Sequence, residues 1–176
     1  MKEKEFVNRL AKGKRDLLQE FIDHLAQREI SFCVIGGLAV NAYAEPVVRV
    51  DLAVVMTASE VEKLLLSLPS DYTVRKDKHS TNISSSFSDL RIQLQNDARY
   101  QHFIKRSSIR SVLGYEIPVA SVEDVLQGKL WAYSDPERRP SKRQKDLADI
   151  MRLVESNPEL TNTPVGQAAK SMMNPL

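Results

Sequence analysis

An aspartate interrupts a valine-rich run, Val47-Val48-Arg49-Val50-Asp51-Leu52-Ala53-Val54-Val55. A carboxylate buried there without a partner would carry a large desolvation penalty. Asp51 therefore faces solvent, a metal ion or a partner group, and in an extended chain Ala53 and Val55 share its side. Upstream, Phe32-Cys33-Val34-Ile35 runs into Gly36-Gly37 and then into Leu38–Ala44. Two glycines at a strand-to-helix turn let the backbone approach a phosphate, and the helix start behind them offers free amides. Plain turn chemistry explains the same pair, and a sheet-rim position explains the aspartate, so both readings stand open at this point.

Two further groups of charges could do chemistry. Lys145, Asp146 and Asp149 are spaced i, i+1 and i+4, which brings them towards one side of a helix. They either form an exposed ion-paired helix or border a cleft. Arg138, Arg139, Lys142, Arg143 and Lys145 crowd one short segment, as a solvated charge run or as a patch for the phosphates of a nucleotide or of RNA. Few aromatics are interleaved, which argues against a platform for stacking single-stranded bases. His24, His79 and His102 have no metal-ligand spacing, and no Ser-His-Asp or Cys-His set stands out. Trp131 and Tyr133, beside Lys129, fit a core or the wall of a groove.

These residues need a sheet and helices to hold them. Apolar positions at helical spacing predict an amphipathic helix over residues 3–28. A short buried strand over 32–35, a short helix over 38–44 and a strand over 47–56 follow. Thr57 and Glu60 form a capping pair for the next helix, which Pro69 ends. Residues 72–76 and 87–95 are the next strands, joined by a serine-rich connection. In the second, Leu90, Ile92 and Leu94 point one way and Arg91, Gln93 and Gln95 the other. Residues 98–113 are weakly patterned as helix, and 117–119 as a short extended piece. Helices follow over 121–133 and after Pro140, the latter with a buried stripe of Leu147, Ile150, Met151 and Val154. The fold class is α/β (α+β): a mixed sheet flanked by helices with a helical C-terminal part. The domain reading is one unit over 1–160, with its N-terminal helix at 3–28, its sheet core at 30–97 and its helical part at 98–160. Residues 161–176 read as a flexible tail.

Composition bounds the function classes. The chain has 176 residues, 42% hydrophobic and 27% charged, the profile of an ordinary globular domain. Its formal net charge of +2 does not by itself imply nucleic-acid binding. No apolar run is long enough to span a bilayer, so no membrane partner is expected. The single cysteine, Cys33, excludes an internal disulfide and suits a buried apolar site. A cytoplasmic location is expected.

The stretch Val34-Ile35-Gly36-Gly37-Leu38-Ala39-Val40-Asn41, followed by Asp51-Leu52-Ala53-Val54-Val55, resembles the opening of the AbiEii/AbiGii toxin-like family, within the polymerase-beta-like nucleotidyltransferase fold. Gly128-Lys129-Leu130-Trp131-Ala132 and Arg143-Gln144-Lys145-Asp146-Leu147-Ala148-Asp149-Ile150 are similar to its later lysine and Lys-Asp-x-x-Asp motifs. The resemblance covers roughly residues 30–155 and implies a nucleoside triphosphate substrate, Mg²⁺ and transfer of a nucleotidyl group. It also implies a toxin–antitoxin setting with a cognate antitoxin-like protein, RNA being the other candidate partner. By this resemblance Gly36, Gly37, Lys129, Arg143, Lys145 and Asp146 would serve the nucleotide, and Asp51 would be the catalytic, metal-binding carboxylate. Ala53 and Gln93 stand where the family pattern has its second and third carboxylates. Two Mg²⁺ ions are held chiefly by anionic oxygens, so the implied chemistry is weak or lost here. Asp89 and Asp97 flank the strand that carries Gln93, but Asp89 is roughly 13 Å along it and is no direct substitute. The remaining alternative is a non-enzymatic interaction module.

Overall fold

The computed structural model describes residues 2–174. Its centre is a mixed seven-stranded sheet in the order β3-β4-β5-β2-β1-β7-β6. The strands are β1 (Cys33–Ile35), β2 (Asp51–Val55), β3 (Tyr72–Lys76), β4 (Ser80–Ser85), β5 (Ser88–Gln95), β6 (Ser108–Val112) and β7 (Tyr115–Val119). The pairs β1–β7 and β2–β5 are parallel; the other four are antiparallel. This is the expected mixed α/β architecture.

One side of the sheet is apolar because alternate residues of neighbouring strands align. Leu52 sits opposite Ile92, Val54 opposite Leu94, and Ile83 opposite Ile92 across the other edge of β5. All five are buried, and full burial of each such side chain is worth roughly 1.5–3 kcal/mol. Val7, Ala11, Leu17 and Leu18 meet Leu90 and Tyr115 on this side. The residues between them, Asp51, Arg91 and Gln93, are exposed, so the opposite side of the same strands is left polar.

The expected single N-terminal helix is two: α1 (Glu3–Leu10) and α2 (Leu17–Gln27). Lys12 takes a positive φ of 48°, which ends α1. Asp16 then caps α2 by accepting from the Gln19 amide at 3.1 Å. The break has partners of its own. The Ala11 carbonyl accepts from the Asp89 amide, and the Lys14 amide donates to Phe87, so the linker docks on the start of β5.

After β1 comes α3 (Gly36–Val40), and after β2 comes α4 (Ala58–Ser67), capped by Thr57 as its spacing predicted. The contact of His24 with Ser67 at 3.0 Å sets α4 beside α2. The serine-rich connection contains β4, and residues 98–113 divide into a 3-10 helix (Ala98–Arg106) and β6. β6 and β7 form a hairpin closed by Leu113 and Gly114, both at positive φ (49° and 81°), the backbone that a two-residue hairpin turn requires.

α5 (Val122–Ser134) and α6 (Pro140–Ser156) pack on each other. Where the sequence suggests a flexible tail, a 3-10 turn (Pro158–Asn162) leads into α7 (Pro164–Met173), with Leu160 and Ala169 buried. Thr163 caps α7 by accepting from the Gly166 amide. Residues 175–176 of that tail lie outside the described residues. No described helix is long and apolar enough to cross a membrane.

Candidate functional site

Ala53 lies mid-sheet, with Ile35 of β1 on one side and Gln93 of β5 on the other. Asp51, two residues back, is opposite Arg91. Residues 51, 53, 91 and 93 therefore share the polar side of the sheet. Gly36 follows Ile35 directly and has a φ of +71°, a left-handed conformation that disfavours any Cβ. A Cβ placed there would lie 3.3 Å from the Ala53 methyl. The diglycine bend and position 53 are thus immediate neighbours.

The carboxylate of Asp51 is met by a fixed cation. Arg91 Nε is 2.8 Å from Asp51 Oδ1, and both side chains are mostly exposed, at 69% and 62%. Lys142, in the first turn of α6, senses the same pair. Partial burial lowers its pKa, and Arg138, Arg139 and Arg91 add to that, while Asp51 acts in the opposite direction. Among the described residues no three His, Cys, Asp or Glu side chains converge. Asp89 pairs instead with Lys12 at 3.2 Å, and Asp97 caps the 3-10 helix and binds Arg99.

Lys129, Asp146 and Asp149 belong to a second, buried cluster. Lys129 Nζ bridges Asp146 Oδ1 at 3.0 Å and Asp149 Oδ2 at 2.7 Å, joining α5 to α6. Arg138 binds Asp146 through Nε and Nη2. Asp149 Oδ1 accepts from Arg49 Nη2 and from Arg152 Nη1, each at 2.8 Å. Both carboxylates are only 1% exposed as residues, which is tolerable because each is surrounded by donors. Four cations face two carboxylates, so the cluster carries excess positive charge. Arg49 links it to the diglycine bend: a Cβ on Gly37 would lie 3.2 Å from Arg49 Nε, and that buried nitrogen has no hydrogen-bond partner.

The basic run divides. Arg138 is engaged by Asp146, and Arg143 donates from Nε to the Tyr133 carbonyl at 2.9 Å while lying over the Tyr133 ring. Arg139, Lys142 and Lys145 are exposed. Lys145 makes no ion pair among the described residues, and no described contact joins it or Arg143 to Asp51. Trp131 stacks on Phe103 with Arg99 over its ring, as a wall residue. Burial lifts the Cys33 thiol to about 12, with a smaller contribution from Asp124. Sequence reasoning missed Arg49 and the pairing of Arg91 with Asp51. The only prior signal for Arg91 was its place in the outward alternation of β5.

The comparisons with known proteins agree with this architecture. The profile of the family described as "Nucleotidyl transferase AbiEii toxin, Type IV TA system" matches residues 12–171. No curated protein matches the sequence significantly. Among solved structures, an antigenic nucleotidyltransferase-like protein from Paracoccidioides brasiliensis superposes with a TM-score of 0.58 at 18% identity, over 89% of this chain and 85% of that one. The antibiotic-resistance factor ANT(2'')-Ia gives 0.58 at 13% identity, over 89% of each chain. The lincosamide antibiotic adenylyltransferase LnuA gives 0.55 at 11% identity, over 81% of this chain and 99% of that one. At such identities the likeness is one of fold.

Proposed function

The chain belongs to the AbiEii nucleotidyltransferase toxin family, a type IV toxin–antitoxin family, and from that membership we propose that it is a nucleotide-binding protein with weak or absent nucleotidyl transfer. The nucleotide lies on the polar side of β2 and β5, with its phosphates towards Gly36 and Gly37. Arg143 and Lys145 border the nucleotide from α6. Lys129 and Asp146 act from beneath, by fixing α5 against α6. A cognate antitoxin-like protein is the partner this reading carries.

The observation that supports reduced chemistry is the side-chain set beside the diglycine bend. Asp51 offers one carboxylate, Gln93 a neutral amide and Ala53 no oxygen at all, in a register that puts 53 opposite 93. Two divalent ions need more anionic oxygen than this set supplies, so the residues present do not fit a two-metal site. Asp51 holds at most one ion, and only in competition with Arg91.

Titration calorimetry with ATP, GTP, CTP and UTP, alongside transfer of label from α-phosphate-labelled nucleotides to RNA and protein, tests the reading. At least one nucleotide is expected to bind with little label transferred. Binding of none by the folded protein removes the reading. Robust metal-dependent transfer by the natural sequence, abolished by Asp51→Ala, would overturn the loss of chemistry.

A further inference from the structure

Resting on that nucleotide-binding reading, we propose that Arg49 is the phosphate-binding cation of the site, a guanidinium held between the α5–α6 cluster and Gly37 that donates to a phosphate oxygen of the nucleotide. The cluster around Asp146 and Asp149 has too much positive charge for its depth. Lys129, Arg49, Arg138 and Arg152 are all at least partly buried, and those two carboxylates are their only ion-pair partners among the described residues. Like charges gathered away from water repel more strongly than on an open surface. An anion at the edge of the cluster relieves that repulsion.

Three of the four cations are committed to the protein. Lys129 bridges both carboxylates, and Arg138 binds Asp146 through two nitrogens. Arg152 donates to Asp149, to the Asn41 side chain and to the Glu45 carbonyl. Arg49 differs. A guanidinium carries five N–H bonds in a planar fork, yet among the described residues Arg49 makes one hydrogen bond, from Nη2 to Asp149 Oδ1 at 2.8 Å. Its Nε is buried without a partner, a costly state for a charged donor. The same side chain lies along the diglycine bend: a Cβ on Gly37 would meet its Nε, Cδ and Cγ at 3.2, 3.5 and 3.6 Å. With 21% of its side chain open, Arg49 is reachable from outside, whereas Asp149 behind it, at 1%, is not.

Asp149 does not depend on Arg49 alone. Its Oδ1 also accepts from Arg152 Nη1 at 2.8 Å, and its Oδ2 lies 2.7 Å from Lys129 Nζ. It stays neutralised when Arg49 turns or shares its fork with a ligand. A phosphate oxygen beside Gly37 takes up the idle donors while Asp149 keeps the guanidinium oriented.

The test is calorimetric binding of ATP, GTP, CTP and UTP, and of inorganic tripolyphosphate, to the parent protein and to its Arg49→Gln and Arg152→Gln variants. Both variants remove one cation from Asp149 Oδ1, but only the first removes the donor at Gly37. Arg49→Gln is expected to weaken the nucleotide that binds roughly tenfold or more, the scale of a hydrogen bond to a charged group, and to weaken tripolyphosphate by a similar factor. Arg152→Gln should leave both nearly unchanged, and a thermal melt of each variant verifies the fold. Should Arg49→Gln fail to fold, Arg49→Lys keeps a charge beside Asp149 but loses the fork, and should still bind several-fold more weakly. Equal losses in the two glutamine variants would leave Arg49 a purely structural part and overturn the proposal. Nucleotide binding that ignores Arg49→Gln would do the same, and either result leaves the nucleotide reading intact. Arg49-dependent binding of tripolyphosphate without binding of any nucleotide would keep the phosphate contact and remove the nucleotide reading. Binding of neither ligand removes both.

Discussion

Two clusters of opposite charge lie on either side of the diglycine bend, and their surroundings give them different work. The Lys129–Asp146–Asp149 cluster is buried, with side chains 1–9% exposed and every carboxylate oxygen facing a cation. The Asp51–Arg91 pair is nearly as short but open to water. Removing one partner of a buried pair strands the other in a low-dielectric interior; removing one partner of an exposed pair lets water replace it. A motif's charged residues can thus be structural, while less conspicuous charges stay on the surface.

The largest effect should come from the buried side. Asp149→Ala leaves Lys129, Arg49 and Arg152 without their shared anion and should cost about 3–5 kcal/mol, measured by urea unfolding. A loss below about 1 kcal/mol would erase the distinction between the clusters. Gly36→Ala probes the bend between them. Its left-handed backbone alone should cost about 1–2 kcal/mol, and the approach to Ala53 adds to this.

On the exposed side, Asp51→Ala should change stability by no more than about 1 kcal/mol, and high salt should shrink that difference further. The smallest effect concerns His24, away from both clusters. Burial first, and Arg28 second, lower its pKa below the usual 6.5. The unfolded chain therefore binds the proton more readily. Its contribution to stability is complete above the unfolded value and falls as pH drops through 6.5 towards the folded value. His24→Gln should flatten that part of a stability-against-pH curve.

The central strands were legible because their alternation is strong: Leu90, Ile92 and Leu94 against Arg91, Gln93 and Gln95 settle which side of β5 is buried. β4 was hidden because Ser80, Ser84 and Ser85 carry little apolar signal, and its pairing is supplied by neighbours on both edges. The split of the N-terminal helix was invisible because its reason is tertiary, the docking of residues 11–14 onto β5. At the site, periodicity put Asp51 and Ala53 on one side of their strand and Gln93 on the outward side of its own; that the two sides coincide came only from the family resemblance. It did not show that Lys129 bridges Asp146 and Asp149, or that Arg49 ties the bend to Asp149. Those facts depend on how α5 and α6 turn after Pro136, which no local pattern encodes.

The position of β1 between β2 and β7 bears on how the chain is made. One flank of β1 is satisfied by β2 soon after both leave the ribosome. The other waits for Tyr115–Val119. Until then a fully apolar strand, Cys33–Ile35, has an unpaired rim beside the nascent bend. Such long-range parallel pairing forms late, and a bare rim invites association with another chain. Fragments ending before residue 115 should therefore associate more readily than the full chain, which light scattering would measure.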